Sequence, residues 1–505
     1  MKIAGLDIGT TGCKCTVFDE NGLMLGKAYR DYPIKRGVSG HEVDVSAIMD
    51  GVYVCLAEVA KEYPDIAGIG VTSFGETFVM TDMSGEPLYP AMLYTDPRGK
   101  AECQKLVAAL GEKNIANITG LRPHEMYSIP KIMWIKEYEA SVYEKASYIF
   151  LMEDYVVYHL TGRRQIDYSL ATRTMAFDIR NLGWSKTVFD AAGIDISKMS
   201  APVQTGTDAG KITDATAART GLSRETHIIS VSHDQVAAAV GAGAFDSSVA
   251  VDGAGTVECI TPIFDGIPDI DIMYRGYFSI VPYVIPGKYV AYAFSYTGGA
   301  LMQWCAETLA KSEQQLAEAE GISVNEYLER EYHYIAASEK TSVQSPSGLL
   351  VLPHFAGAAT PYMDTGSKGV ILGLTTDTSV AEIYRGCMEG VVYEMCLNVK
   401  ALEGSGTCFN KLHATGGGAH SKEWMQMKAD MLGLPITALR TVDAGTVGCA
   451  MLTGIAIGVF SDLEDAASHM VEETDTYEPR WEIHEKYMEI YKRYEKLYEA
   501  VRPLV

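Results

Sequence analysis

Asp234 lies in the stretch IISVSHDQVAAAV (228–240), where an apolar, partly β-branched run breaks at Ser232-His233-Asp234-Gln235 and resumes as small apolar residues. That pattern reads as a buried strand followed by a closely packed helix, with Asp234 at the seam. By itself the residue reads first as an N-cap, because an aspartate there accepts hydrogen bonds from the free N–H groups of a helix. Its second reading is a catalytic carboxylate at the carboxyl end of a strand, where open α/β sheets place their ligands. Two glycine-rich stretches offer phosphate chemistry. In GLDIGTTGCK (5–14), Gly9 and Gly12 permit close backbone approach, Thr10 and Thr11 add donors suited to phosphate oxygens, and Asp7 is placed to hold magnesium through water. In HATGGGAHSKEWMQMKADMLGLPI (413–436), three glycines follow a short strand and open an amphipathic helix, which marks close approach by a ligand or another backbone.

The elements that must position these residues repeat. The first 32 residues read as strands joined by tight turns, and SSVAVDGAGTVECITPI (247–263) has the same strand-turn-strand outline with Asp252, Gly253, Gly255 and Thr256 at its turn. Two such units about half the chain apart suggest a duplicated domain. Helical stretches at 46–62 and 131–146 alternate with strand-like runs such as AGIGVTS (67–73), which argues for α/β architecture. The Gly/Ser-rich passage 240–249 puts a domain boundary near 245, giving domains 1–245 and 246–505. The segment WEIHEKYMEIYKRYEKLYEAV (481–501) predicts a surface helix packing a tyrosine face on the body.

Composition narrows the function. A chain of 505 residues with 47% hydrophobic and 21% charged residues is expected to be globular with two domains. A net charge of -23 without a Lys/Arg-rich run argues against nucleic acid as a partner. An anionic ligand would have to be held by backbone N–H groups, a lysine or a metal ion. Ten scattered cysteines without a CxxC pair or zinc spacing suggest a reducing compartment, and the opening residues leave no room for a signal peptide. The segment 447–460 is too short to span a bilayer and predicts a core helix. A cytoplasmic protein without membrane partners is expected.

Taken in order, the motifs resemble those of the FGGY carbohydrate kinases, whose members include xylulose, glycerol, gluconate and fuculose kinases. GLDIGTTGCK is similar to their first phosphate motif, DGAGTVE (252–258) to the second, and TGGGAHSKEWMQMKADMLGLPI to the adenosine motif. MYSIPKIMWIKEY (126–138) and GVILGLTTDTSVAEIYRGCMEG (369–390) resemble the two patterns by which the family is commonly recognised.

The resemblance implies a fold of two actin-like α/β domains of the duplicated ribonuclease-H type with the active site in the cleft between them, and ATP and Mg2+ as cofactors. It implies Asp234 as general base and Gln235 as a substrate contact. Sugar hydroxyls are read after a strand within 68–99, where glycerol kinases carry Arg-Glu and xylulose kinases Met-His. This chain has Gly75-Glu76, with Glu76 able to accept two hydroxyl hydrogen bonds and Gly75 leaving room for a longer substrate. Asp96 and Arg98 are expected as scaffolding or a second sugar contact. Met126 stands where glycerol kinases carry a substrate-binding tyrosine, with Tyr127 beside it. Gly255, Thr256, Gly299, Gln303, Gly417 and Ser421 are expected at the nucleotide with Thr10, Thr11 and Gly12, and Lys14 as a point charge on a phosphate. His233 is expected on the opposite strand face from Asp234. The expected function is ATP-dependent phosphorylation of a ketopentose such as xylulose. Alternatives are a glycerol or other polyol kinase and a non-catalytic sugar or nucleotide sensor. An actin-like filament or chaperone ATPase is disfavoured by the kinase-like stretches 68–99, 126–138 and 369–390. A homodimer is the assembly carried as an expectation.

Overall fold

The computed structural model describes residues 1–37, 40–338, 345–441 and 443–504. The strands of its two main sheets are β1 (Lys2–Ile8), β2 (Gly12–Asp19), β3 (Met24–Asp31), β4 (Gly68–Ser73), β5 (Thr207–Lys211), β6 (His227–His233), β7 (Val249–Ala254), β8 (Glu258–Phe264), β9 (Ser279–Pro282), β10 (Tyr289–Ser295), β11 (Lys411–Thr415), β12 (Ile436–Leu439) and β13 (Glu473–Tyr477). The helices used below are α1 (Val45–Ala60), α2 (Tyr168–Thr172), α3 (Asp234–Gly241), α4 (Gly299–Thr308), α5 (Val324–Ser338), α6 (Val380–Ala401), α7 (Lys422–Leu432), α8 (Ala444–Ala456) and α9 (Trp481–Tyr494).

The first sheet has the order β5-β6-β4-β1-β2-β3 and the second β9-β10-β8-β7-β11-β12-β13. In the first, β1, β2 and β3 form an antiparallel meander, β4 and β6 lie parallel beyond β1, and β5 closes the edge antiparallel to β6. In the second, β7, β8 and β10 repeat that meander, β11 and β12 repeat the parallel pair, and β13 repeats the edge. Apart from β9, which extends the second sheet, this is the duplication that the two strand-turn-strand units predict, and the all-buried β4 (GIGVTS) is what a parallel strand covered on both faces looks like.

The two repeats interlock through equivalent helices. α3 follows β6 as α8 follows β12, and the two helices meet backbone to backbone. A Cβ on Gly241 would lie 1.9 Å from the Ala444 carbonyl oxygen, and one on Gly448 1.9 Å from that of Ala237. α8 also crosses onto the first sheet, where a Cβ on Gly5 would lie 2.3 Å from the Thr446 carbonyl oxygen. Val236, Ala237, Val240, Val447, Ala450 and Met451 bury the seam. The small-residue runs of the sequence are therefore the means by which two helices and a sheet approach closely. The segment 447–460, expected as a core helix, lies mostly in α8, and among the described residues no helix is long and apolar enough to cross a membrane. α9 buries Tyr487, Tyr491 and Tyr494, the tyrosine face expected of it.

Candidate active site

β6, β4 and β1 are neighbours in the first sheet, and all three run in the same direction. Asp234, Gly75-Glu76 and Thr10 follow their carboxyl ends, so three loops converge where an open α/β sheet binds its ligand. With Gln235 they line a cavity of about 290 Å³, closed from the second repeat by Val257, Cys259, Tyr292, Phe294 and Tyr296. Asp234 is the first residue of α3 rather than its cap: His233 holds the cap position, and no side chain caps the helix. Asp234 Oδ1 is buried without a hydrogen-bond partner. Burial, reinforced by Asp7 and Glu76, pushes its carboxyl up to about 7, against the pull of the Gln235 backbone amide and Arg173.

His233 is not on the opposite face from Asp234. The strand ends at His233 and turns into α3, so the period-two alternation stops there, and His233 Nε2 lies 3.2 Å from Asp234 Oδ1. Its Nδ1 is 3.1 Å from the Tyr292 hydroxyl, across the cleft. Burial and the nearby Arg173 cation hold the imidazole well below its ordinary pKa, so it is neutral.

Glu76 sits at φ 65°, a left-handed conformation that a glutamate adopts only when its surroundings fix it. What fixes it is Arg173, immediately after α2. Arg173 Nε donates to Glu76 Oε1 at 2.6 Å, and Nη2 donates to the same oxygen. Gly75 does not leave room for a longer substrate. A Cβ there would lie 3.0 Å from the His233 ring and 3.1 Å from Arg173 Cγ, so protein fills that space. Met126 lines the cavity, whereas Tyr127 is buried behind it. Asp96 and Arg98 do not line it: Arg98 pairs with Asp96 (2.6 Å) and Glu42 (2.7 Å) and lies over Trp134, which makes the pair scaffolding.

Asp7, on β1, faces Lys14 across the hairpin. Lys14 Nζ lies 3.2 Å from Asp7 Oδ2 and 2.8 Å from Asp443 Oδ1, so its charge balances two carboxylates. Asp443 caps α8 by accepting from the Thr446 amide. Asp7 Oδ1 is buried without a partner, and burial raises the carboxyl above its ordinary pKa. Among the described residues no cluster of three or more His, Cys, Asp or Glu could hold a metal. A single orphaned carboxylate oxygen still suits magnesium, which takes one or two carboxylates together with waters and substrate phosphates.

The nucleotide-type residues gather on the second repeat. Gly255, Thr256, Gly299, Gln303, Gly417 and Ser421 line one cavity of about 440 Å³ with Asn325, Glu329, Tyr384, Met388 and Trp424. The N-terminal amides of α4 bond the β7–β8 turn: Gly299 N donates to the Gly255 carbonyl (2.8 Å) and Ala300 N to that of Thr256 (3.1 Å). Of the three consecutive glycines only Gly417 faces open space. A Cβ on Gly416 would strike the Ala254 carbonyl oxygen at 2.6 Å, and one on Gly418 the Trp424 ring at 2.8 Å. Two of them therefore let the turn and a tryptophan pack, and one opens on the cavity. Ser421 caps α7 and donates to Glu329 Oε1. Thr11 and Gly12, at the first turn, line neither cavity.

Sequence reasoning passed over Arg173, Tyr292, Asp443 and Lys428. Lys428 is fully buried on α7 and donates to Asp252 Oδ2 (2.6 Å) and to Glu258 Oε1, one residue on each flank of the β7–β8 turn. A lysine among Trp424, Met425, Met427 and Met431 on a buried helix face was a readable signal. Arg173 and Tyr292 had none, since their partners are far away in the chain.

Comparisons with known proteins give the family. The FGGY family of carbohydrate kinases, N-terminal domain, matches residues 2–241, and its C-terminal domain matches residues 272–457. The chain is 26% identical over 471 residues to the xylulose kinase of Lactococcus lactis subsp. lactis, covering 92% of this chain and 89% of that protein. It is 29% identical over 487 residues to the glycerol kinase of Carboxydothermus hydrogenoformans, covering 92% and 91%. The fold matches the ligand-bound xylulose kinase structure from Lactobacillus acidophilus with a TM-score of 0.88, over 99% of this chain and 98% of that one at 22% identity.

Proposed function

The chain belongs to the FGGY family of carbohydrate kinases, and we propose that it transfers the γ-phosphoryl group of ATP to a hydroxyl of a ketopentose such as xylulose, with Asp234 as the general base. The observation that carries this reading is the position of Asp234: a carboxylate at a strand end, in a cavity with a second carboxylate, Glu76. Phosphoryl transfer runs through a loose transition state, so the protein's work is to position the partners, stabilise charge and remove one proton. Glu76 and Gln235 orient the sugar, and Asp234 accepts the proton of the attacking hydroxyl. The Gly255–Thr256 turn, Gly299, Gly417 and Ser421 hold the nucleotide, with Thr10 facing its phosphates. Asp7 would hold magnesium through water, and the ion when bound neutralises phosphate charge. Closure of the two repeats excludes water, which would otherwise compete as acceptor. The setting is the cytoplasm.

The choice of a pentulose rests on the relatives and on the walls of the cavity, where Phe74, Tyr94, Tyr292, Phe294 and Tyr296 offer apolar faces for the C–H face of a sugar longer than a triol. Glycerol is the second reading, favoured by Glu76. An ATP-dependent ADP-release assay over xylulose, ribulose, glycerol, erythritol and gluconate separates them. Xylulose is expected to give the highest kcat/KM. A flat response to every acceptor, with ATP bound, would replace the kinase by a sensor.

A further inference from the structure

Arg173 is 5% exposed and sits between the two repeats. Its guanidinium lies over the ring of Tyr127 at 5.2 Å and over that of Tyr292 at 5.5 Å. Tyr127 precedes the helix Ser128–Tyr138 in the first repeat, and Tyr292 is on β10 in the second. Nε and Nη2 both go to one oxygen, Glu76 Oε1, and Nη1 is buried with no hydrogen-bond acceptor, leaving the aromatic faces as its surroundings. A buried charge in this state is tolerated only because it is paired, and the pairing fixes the geometry of both members. The Ser128 hydroxyl donates to the Glu76 carbonyl oxygen at 2.6 Å, which pins the backbone of the same residue. With Oε1 engaged, Oε2 is the oxygen left for a ligand. Tyr292 also meets the His233 ring, so the second repeat touches both the clamp on Glu76 and the neighbour of Asp234.

We propose that Arg173 is a positioning residue for the sugar: clamped between Tyr127 and Tyr292, it holds Glu76 in its left-handed conformation with Oε2 turned to the substrate hydroxyls. This ties substrate recognition in the first repeat to the placement of Tyr292 in the second. The inference rests on the reading of Glu76 as a sugar contact, and its test keeps the two apart.

The test is a mutant cycle on the full-length protein with xylulose, or the best acceptor from the screen, as the probe: E76Q, R173M, the double variant, and R173K, which keeps the charge but not the two-pronged donor. KM for sugar, KM for ATP and kcat are measured for each, with thermal melting as a check on folding. E76Q, R173M and R173K are each expected to raise the sugar KM roughly tenfold or more, the effect of losing a hydrogen bond to a charged group. The KM for ATP stays within about twofold by the same reasoning, because the nucleotide cavity is untouched. The double variant is expected to be no worse than the worse single, since Arg173 acts through Glu76. If E76Q raises the sugar KM and the two losses multiply in the double variant, or if the ATP KM rises in step, the inference is overturned while the role of Glu76 stands. A sugar KM unchanged in E76Q overturns the role of Glu76 and the inference with it. If R173M does not fold, R173K decides: an unaltered sugar KM in that variant overturns the proposal.

Discussion

The hairpins β1–β2 and β7–β8 occupy equivalent places in the two repeats and use their carboxylates in opposite ways. In the first, Asp7 is paired with Lys14 from its own hairpin, a lysine 36% exposed at its side chain, and keeps one oxygen without a partner. In the second, Asp252 and Glu258 also keep one unpartnered oxygen each but are sealed from solvent, and their shared cation, Lys428, comes from α7. Burial and the neighbouring Asp252 push the Glu258 carboxyl up, against the pull of Lys428, so one lysine serves two acids. The same backbone unit therefore carries a partly exposed ion pair in one repeat and a fully buried one in the other. The difference follows where the partner lysine comes from: Lys14 stands on the hairpin itself, whereas Lys428 fastens the turn to the helix that follows the triple glycine.

This contrast breaks most sharply at Lys428. Lys428→Met leaves two buried carboxylates without a cation and is expected to destabilise the protein by about 3–5 kcal/mol, the range for breaking a buried ion pair. The shift in denaturant midpoint measures it. Wild-type stability in that variant would mean that the second hairpin is no more bolted than the first. Asp7→Asn should do the reverse. Turnover at limiting magnesium is expected to fall about 10–100-fold, as for a group that acts on a metal through its waters. The melting temperature should stay level or rise, since burial already disfavours the charged form of Asp7. A variant that unfolds but turns over normally would merge the two hairpins into one class.

Much of this was legible in the sequence, and for physical reasons. The duplicated sheets follow from strand-turn-strand units whose patterning is local, and the nucleotide cavity from motifs whose glycines permit close approach. The residues of the two cavities came together because they sit at strand ends and helix starts, which local sequence marks. What escaped was pairwise and long-range. Arg173 meets Glu76 97 residues away, and Lys428 meets Asp252 across 176. Spacing carries no trace of such contacts. Gly75 was misread because a missing side chain has two uses, room for a ligand and room for a neighbour, and here His233 and Arg173 occupy it. His233 was misplaced because its strand ends one residue before the acid.

Whether Asp234 removes the substrate proton is read from the pH profile of kcat/KM for wild type against Asp234→Asn. With its carboxyl raised to about 7, Asp234 is a base only in its ionised form, so activity should rise with pH through that value and fall about tenfold per unit below it. Asp234→Asn is expected to lower kcat by about 10²–10⁴-fold, abolish that acid limb and leave ATP binding unchanged. Turnover near wild type in the asparagine variant, with the same acid limb, would contradict the account.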